Sequence, residues 1–199
     1  AGPPAIPEDP PGALPREVLK RPGPSPAAPG APSGWDFLDY DIAISLDPIG
    51  ETASGRMAAH VECTDPSDPI VLHARRPVEI AVIRLDGAVV AWTRSGDELR
   101  VAAPDGTNPG DVVVVEAEWV TTGTRHPDEL GLHWGSPTWT ISEPDGTRTW
   151  LVVHDDPADK ATLTWHVTAP STWTVIANGN LVATTDPGFG STTWDWEFP

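Results

Sequence analysis

From Trp35 onward, apolar and polar residues alternate with a period of two. That is the period of a strand with one buried face; a helix would show 3.6. In YDIAISLDP, Tyr40, Ile42, Ile44 and Leu46 share one face, while Asp41, Ser45 and Asp47 share the other. VEIAVI places Val78, Ile80 and Val82 together, and ATLTWHVT sets Leu163, Trp165 and Val167 against Thr164, His166 and Thr168. DVVVVEAEWV opens as a continuous apolar run, which predicts a strand covered on both faces before alternation resumes. Turn signals separate the runs: Asp86-Gly87, Ser95-Gly96, Asp105-Gly106, Asp145-Gly146 and Asn178-Gly179. VIANGNLVAT predicts a two-residue hairpin, and GFGSTT at 188–193 reads as a turn, since it lacks the third glycine and following helix of a phosphate loop. Outside the N-terminal leader, no ten-residue stretch free of Pro and Gly has helical periodicity. The predicted domain is all-β and antiparallel, a sandwich or a saddle-like curved sheet with a smaller sheet.

The first 34 residues break this pattern. They hold eleven of the 24 prolines, few apolar side chains and no period. Such a segment cannot bury enough apolar area to offset chain entropy, so residues 1–34 are read as a disordered, partly polyproline-II leader or linker and 35–199 as the β domain. A proline-rich ligand for a binding domain is the functional alternative. A spacer of this kind often follows a removed export signal or a lipid anchor, which favours an exported location (periplasmic, extracellular or lipid-anchored). No signal peptide and no bilayer-spanning apolar run is visible in the sequence itself.

Charge narrows the partners. The leader is neutral, so residues 35–199 carry the whole net charge of −17, from 9 basic and 26 acidic side chains. A domain this acidic repels phosphate backbones, which argues against nucleic-acid binding and against docking on anionic membranes. Solubility alone also accounts for the charge. Cys63 is the single cysteine, which excludes an internal disulfide and a cysteine-built zinc site. Ten tryptophans on strands are read as core and cross-strand packing, with a carbohydrate-binding platform of exposed indoles as the alternative.

Catalytic signatures are missing: no H-E-x-x-H, G-x-S-x-G, P-loop or cysteine pair occurs. RHPDELGLHW offers His126, Asp128, Glu129 and His133, but at no spacing that puts ligands on one side of a strand or helix. SEPDGTRTWLVVHDDPADKATLTW crowds five carboxylates, a histidine and an arginine into residues 142–165. In an extended chain Asp155 and Asp156 point to opposite faces, and Pro157 pushes Asp156 out of the helical region. HDDP is therefore read as a structural corner with Lys160 near enough to balance a carboxylate, and a small metal site using His154 as the alternative.

TWTISEPDGTRTWLVVHDDPADKATLTWHVTAPSTWTVIANGNL resembles the signature region of the N-terminal domain of the aminopeptidase N family of zinc metallopeptidases. The matching elements are Glu143, Arg148, TWLVV, Asp155 with Pro157, Lys160-Ala161-Thr162, LTWHV and ANGNL. Upstream, YDIAISLDP, Gly55 in SGRMAAHVEC, and PIVLHARRPVEIAVIRLDG resemble the family's opening strands in order and spacing. The resemblance implies a saddle-like β domain covering a separate catalytic domain that supplies the zinc ligands, with peptides as substrates. This chain holds none of that machinery and stops where the catalytic domain would begin, so a fragment or a solitary version of the domain is implied. One family role maps onto the chain. The acidic or amide residue that helps hold the substrate's free α-amine corresponds to Glu143, with Ile141 and Pro144 standing where the family often has Gln and Ala. A solvated turn carboxylate is the alternative for Glu143, and a stand-alone, non-catalytic domain binding protein or glycan is the alternative for the chain.

Overall fold

A computed structural model describes residues 34–123, 130–143 and 146–199. The leader, apart from Gly34, lies outside the described residues, as do His126, Asp128 and Glu129. The strands are β1 (Trp35–Asp47), β2 (Thr52–Cys63), β3 (Ile70–His73), β4 (Glu79–Leu85), β5 (Ala88–Val89), β6 (Trp92–Ser95) and β7 (Glu98–Val101). They continue with β8 (Val112–Thr121), β9 (Gly131–His133), β10 (Trp139–Ile141), β11 (Thr162–Pro170), β12 (Asn180–Gly188) and β13 (Ser191–Phe198). A single 3-10 turn, Thr147–Thr149, is the only helical element among the described residues, and no helix is long and apolar enough to cross a membrane.

Eight strands form one sheet in the order β12-β13-β11-β1-β2-β8-β4-β5, and smaller sheets hold β3-β7-β6 and β10-β9. The fold is the all-β, large-sheet-plus-small-sheets architecture that the period-two pattern predicts. One pair departs from antiparallel: β1 and β11 run parallel, with Ile42 beside Trp165 and Ile44 beside Val167. The two alternations read from the sequence therefore lie on the same face of neighbouring strands. That face holds the core, where Phe37, Val61, Val115 and Trp119 join Leu72 and Leu99 of the three-stranded sheet in one buried cluster.

Three local expectations are corrected. β8 alternates along its whole length, burying Val113, Val115, Ala117, Trp119 and Thr121, so the valine run is covered on one face and half-exposed on the other. In β4 the buried positions are Ile83 and Leu85, not Val82. A bulge between Ile80 and Val82 inserts Ala81 and shifts the alternation by one residue. Asn178-Gly179 closes no hairpin, because residues 173–177 belong to no strand. The hairpin is instead β12–β13, turned at Phe189 and Gly190 with φ of 57° and 74°. Positive φ at both central residues matches the twist of the flanking strands. Asp86 and Gly87 make the same kind of turn between β4 and β5, with φ of 49° and 81°.

Candidate functional site

The segment after the 3-10 turn is tied down from both sides. Arg148 donates from Nε to Asp155 Oδ2 at 2.9 Å and from its backbone N–H to the same oxygen at 3.1 Å. A second guanidinium N–H reaches the Asp155 carbonyl at 2.8 Å. The Asp155 N–H donates to His73 Nδ1 at 3.0 Å, which requires that nitrogen to be unprotonated. Burial, reinforced by the Arg148 charge, holds the His73 imidazole below its ordinary range, which suits it to accept. The His154 N–H donates to the Tyr40 hydroxyl at 3.0 Å, and His154 Nδ1 lies 2.9 Å from the Val71 carbonyl. A carbonyl only accepts, so Nδ1 carries the proton. The His154 ring stacks on Phe37, centroids 5.0 Å apart and planes within 3°. Asp156 accepts the Ala158 N–H at 2.9 Å, the local turn bond typical of aspartate. HDDP is thus a corner joining β3, β1 and the 3-10 turn, and the counter-charge of Asp155 is Arg148, not Lys160.

This corner forms one end of a groove of about 600 Å³ over the apolar face of β1 and β11. Ile42, Ile44, Leu163 and Trp165 make its floor, and Trp139 and residues 173–178 flank it. Asp159 lies at the corner end with a side chain only 4% exposed. Its Oδ2 accepts the Phe37 N–H at 3.3 Å and stands 3.8 Å from His154 Nε2, and the carboxyl is hydrogen-bonded to the Asp36 side chain. Burial pushes this carboxyl up to about 7, with the neighbouring Asp36 and Asp156 adding to the effect against the Phe37 bond. Burial also raises the Tyr40 hydroxyl well above its usual range. The contacts that assemble this group, Tyr40 with His154 across 114 positions and Phe37 with Asp159 across 122, leave no local pattern in the sequence.

Glu143 follows β10 in an exposed turn. The turn is held by its neighbours: the Ser142 carbonyl accepts the Gly146 N–H at 2.6 Å, and Trp150 Nε1 donates to Ser142 Oγ at 3.3 Å. Among the described residues no hydrogen bond or ion pair engages the Glu143 carboxylate, and the adjoining Ser142 lines the groove. His133, the describable member of RHPDELGLHW, is buried and stacks on Trp139 at 4.0 Å. Tryptophan is mostly interior: Trp139, 44% exposed, is the one indole among the large exposed apolar side chains of the described residues. An exposed row of indoles for glycans is not what these strands present.

The opposite face of the sheet is polar. His166 bridges Asp41 on β1, 3.2 Å from Nε2, and Asp195 on β13, 2.7 Å from Nδ1. The Asp41 hydrogen bond, and after it the Asp195 bond and both charges, outweigh burial and raise His166 to about 9. His60 Nδ1 sits between both oxygens of Asp39 at 2.9 and 3.0 Å.

Among solved structures, the M1 zinc metallopeptidase of Deinococcus radiodurans superposes with a TM-score of 0.72 at 25% identity, covering 83% of this chain and 39% of its own. A variant of that enzyme bound to a Tyr-Ser-Ala substrate gives 0.71 and 25%, with 82% and 39% covered. The chain resembles an N-terminal domain of the M1 zinc metallopeptidases. Legionella pneumophila aminopeptidase A in complex with aspartic acid shares the fold at a TM-score of 0.71 and 15% identity, over 83% of this chain and 20% of its own. The chain thus spans about two fifths of the length of the first of these enzymes and a fifth of the last. No protein-family model and no curated protein sequence matches it. Zinc is expected in the full enzyme of this type. The described residues of this chain do not fit a zinc ion: no three His, Cys, Asp or Glu side chains are arranged to hold one, and His154 Nδ1 and Asp155 are committed to Val71 and Arg148.

Proposed function

We propose that this domain caps the active site of a zinc metallo-aminopeptidase and that Glu143 helps hold the free α-amine of the peptide substrate. The observation that carries the reading is the likeness to M1 zinc metallopeptidases over four fifths of the chain, one of them bound to a tripeptide. The chemistry of Glu143 supports it. An exopeptidase has to recognise an ammonium group at a set depth, and a carboxylate that pairs with no cation among the described residues both neutralises that charge and fixes the register. Water activation belongs to the zinc centre of a catalytic domain, so the domain is not catalytic alone. In the zinc enzyme that carries this domain, Glu143→Ala is expected to raise KM for free-amine peptides about tenfold or more while affecting N-blocked peptides less. Equal losses on both classes would reject the anchoring role.

A further inference from the structure

Two hairpin tips of the main sheet are built alike. Asp47-Pro48-Ile49-Gly50 turns β1 into β2, and Asp186-Pro187-Gly188-Phe189-Gly190 turns β12 into β13. In each, the aspartate Oδ1 accepts backbone N–H groups of its own turn: Ile49 at 2.9 Å and Gly50 at 3.1 Å in the first, Gly188 at 2.8 Å in the second. Each tip raises one large apolar side chain. Ile49 is 96% exposed and Phe189 fully so, the most exposed of the large apolar side chains among the described residues. Phe189 also holds a φ of 57°, which glycine or asparagine adopts more readily, so the turn itself does not call for a phenylalanine.

The topology puts both tips at one end of the sheet. β12 runs antiparallel to β13, β13 antiparallel to β11, and β11 parallel to β1, so β1 and β12 point the same way. Ser45, Thr168, Thr193 and Thr185 lie in one register row across these four strands, and Ile49 and Phe189 each stand four positions beyond it. Three strand spacings separate the two hairpins, so the side chains project roughly 14 Å apart along the end of the sheet. Between them the chain leaves β11 through Pro170, Ser171 and Thr172, which carry no charge, and the Ser171 N–H donates to the Gly190 carbonyl at 2.9 Å.

We infer that this end of the sheet seats on an electrically neutral lipid surface, with Ile49 and Phe189 inserted among the head groups. Shape and charge select that partner. Two separate knobs on a polar strip are convex; lipid closes around such projections, whereas a folded partner needs two sockets at matching spacing. Anionic phosphates find no free cation here. Asp47, Glu51 and Asp186 flank the tips, and Arg75 and Arg76, which precede β4 at the same end, are paired with Asp97 and Glu79. The net charge of −17 adds to the repulsion, and it equally opposes a second copy brought end to end. Two side chains make a reversible seat and not a span. The inference does not rest on the aminopeptidase reading and needs no catalytic domain.

The test is flotation of the purified chain with phosphatidylcholine vesicles over a range of lipid concentration. Half of the chain should float at lipid on the order of 1 mM. Ile49→Ser and Phe189→Ser should each weaken this about tenfold, and the double variant should not float. Urea unfolding should show all three as stable as the parent, because both side chains are exposed. Val89→Ser, an exposed apolar position in the β4–β5 turn at the opposite end, should float like the parent. Replacing about a third of the lipid with phosphatidylglycerol should weaken binding at low salt. Absence of flotation, parent-like flotation of the double variant, a loss in Val89→Ser or tighter binding to the anionic vesicles would each overturn the seat. So would a dimer, seen by sedimentation without vesicles, that the double variant loses.

Discussion

Arg148 and Asp155, seven positions apart, form an ion pair whose side chains are 17% and 10% exposed. The pair also clamps backbone, since Asp155 accepts the Arg148 N–H and Arg148 reaches the Asp155 carbonyl. Removing one partner leaves the other charge largely buried, and that penalty is larger than the net value of the intact pair. Arg148→Met or Asp155→Ala is therefore expected to destabilise the domain by about 3–5 kcal/mol in urea unfolding. The double substitution should cost clearly less than the two single losses added together, because no orphaned charge remains. Additive losses would show that the corner does not depend on the pair.

His166 makes stability fall in alkaline solution. Its folded value is raised to about 9 by Asp41 and Asp195, above the roughly 6.5 of an unfolded imidazole. The folded state thus holds the proton more tightly. Its contribution is complete below about pH 6.5 and is lost as pH rises through 9, amounting to at most about 3 kcal/mol. Because His166 links β1, β11 and β13, His166→Gln should lower stability at pH 6 and flatten the slope between pH 6.5 and 9. An unchanged slope in the variant would assign that titration elsewhere.

Asp159 acts over an earlier window and with the opposite consequence for its own presence. A buried carboxyl raised to about 7 binds its proton more tightly folded than unfolded, so stability drops as pH rises from about 4 through 7. The groups facing it are Asp36 and Asp156, which oppose its ionisation, with His154 and the Phe37 N–H on the other side. Asp159→Asn should remove that slope and stabilise the domain at pH 8 by about 1–3 kcal/mol. Destabilisation at pH 8 would mean that the ionised carboxylate holds the corner together.

The strands were legible where alternation alone decides them. Ile42 and Ile44 on β1, and Trp165 and Val167 on β11, fall on one buried face as their spacing predicts. Turns were legible where residue type dictates φ, as at Asp86-Gly87. The bulge at Ala81 was not, since a small residue carries no sign that it will be the extra one. Asn178-Gly179 misled for a related reason. Gly179 does take a positive φ of 98°, but the backbone of Glu197 on β13 crowds it, and no strand precedes it. Glu143 was marked by family resemblance; His154 and Asp159 stand in the crowded 142–165 segment, but nothing there paired them with Tyr40 and Phe37. Tyr40 meets His154 across 114 positions and Phe37 meets Asp159 across 122, distances at which local patterns carry no information.

Gly55 shows how one small residue positions the groove from behind. It lies opposite Trp119 across β2 and β8, and a methyl group in place of its hydrogen would overlap the Trp119 indole. That indole is fully buried, and its Nε1 donates to the Trp150 carbonyl at 3.0 Å. Trp150 in turn stacks on Trp165, with centroids 5.9 Å apart and planes within 7°. Gly55→Ala therefore forces the indole off its hydrogen bond and loosens the stack that forms the groove floor, at a cost of about 1–3 kcal/mol from overpacking. Combining it with Trp119→Leu should recover part of that loss relative to Trp119→Leu alone, because the smaller side chain leaves room for the methyl. Urea unfolding of the four proteins measures the coupling, and a coupling near zero would mean that the strands move apart instead of the indole.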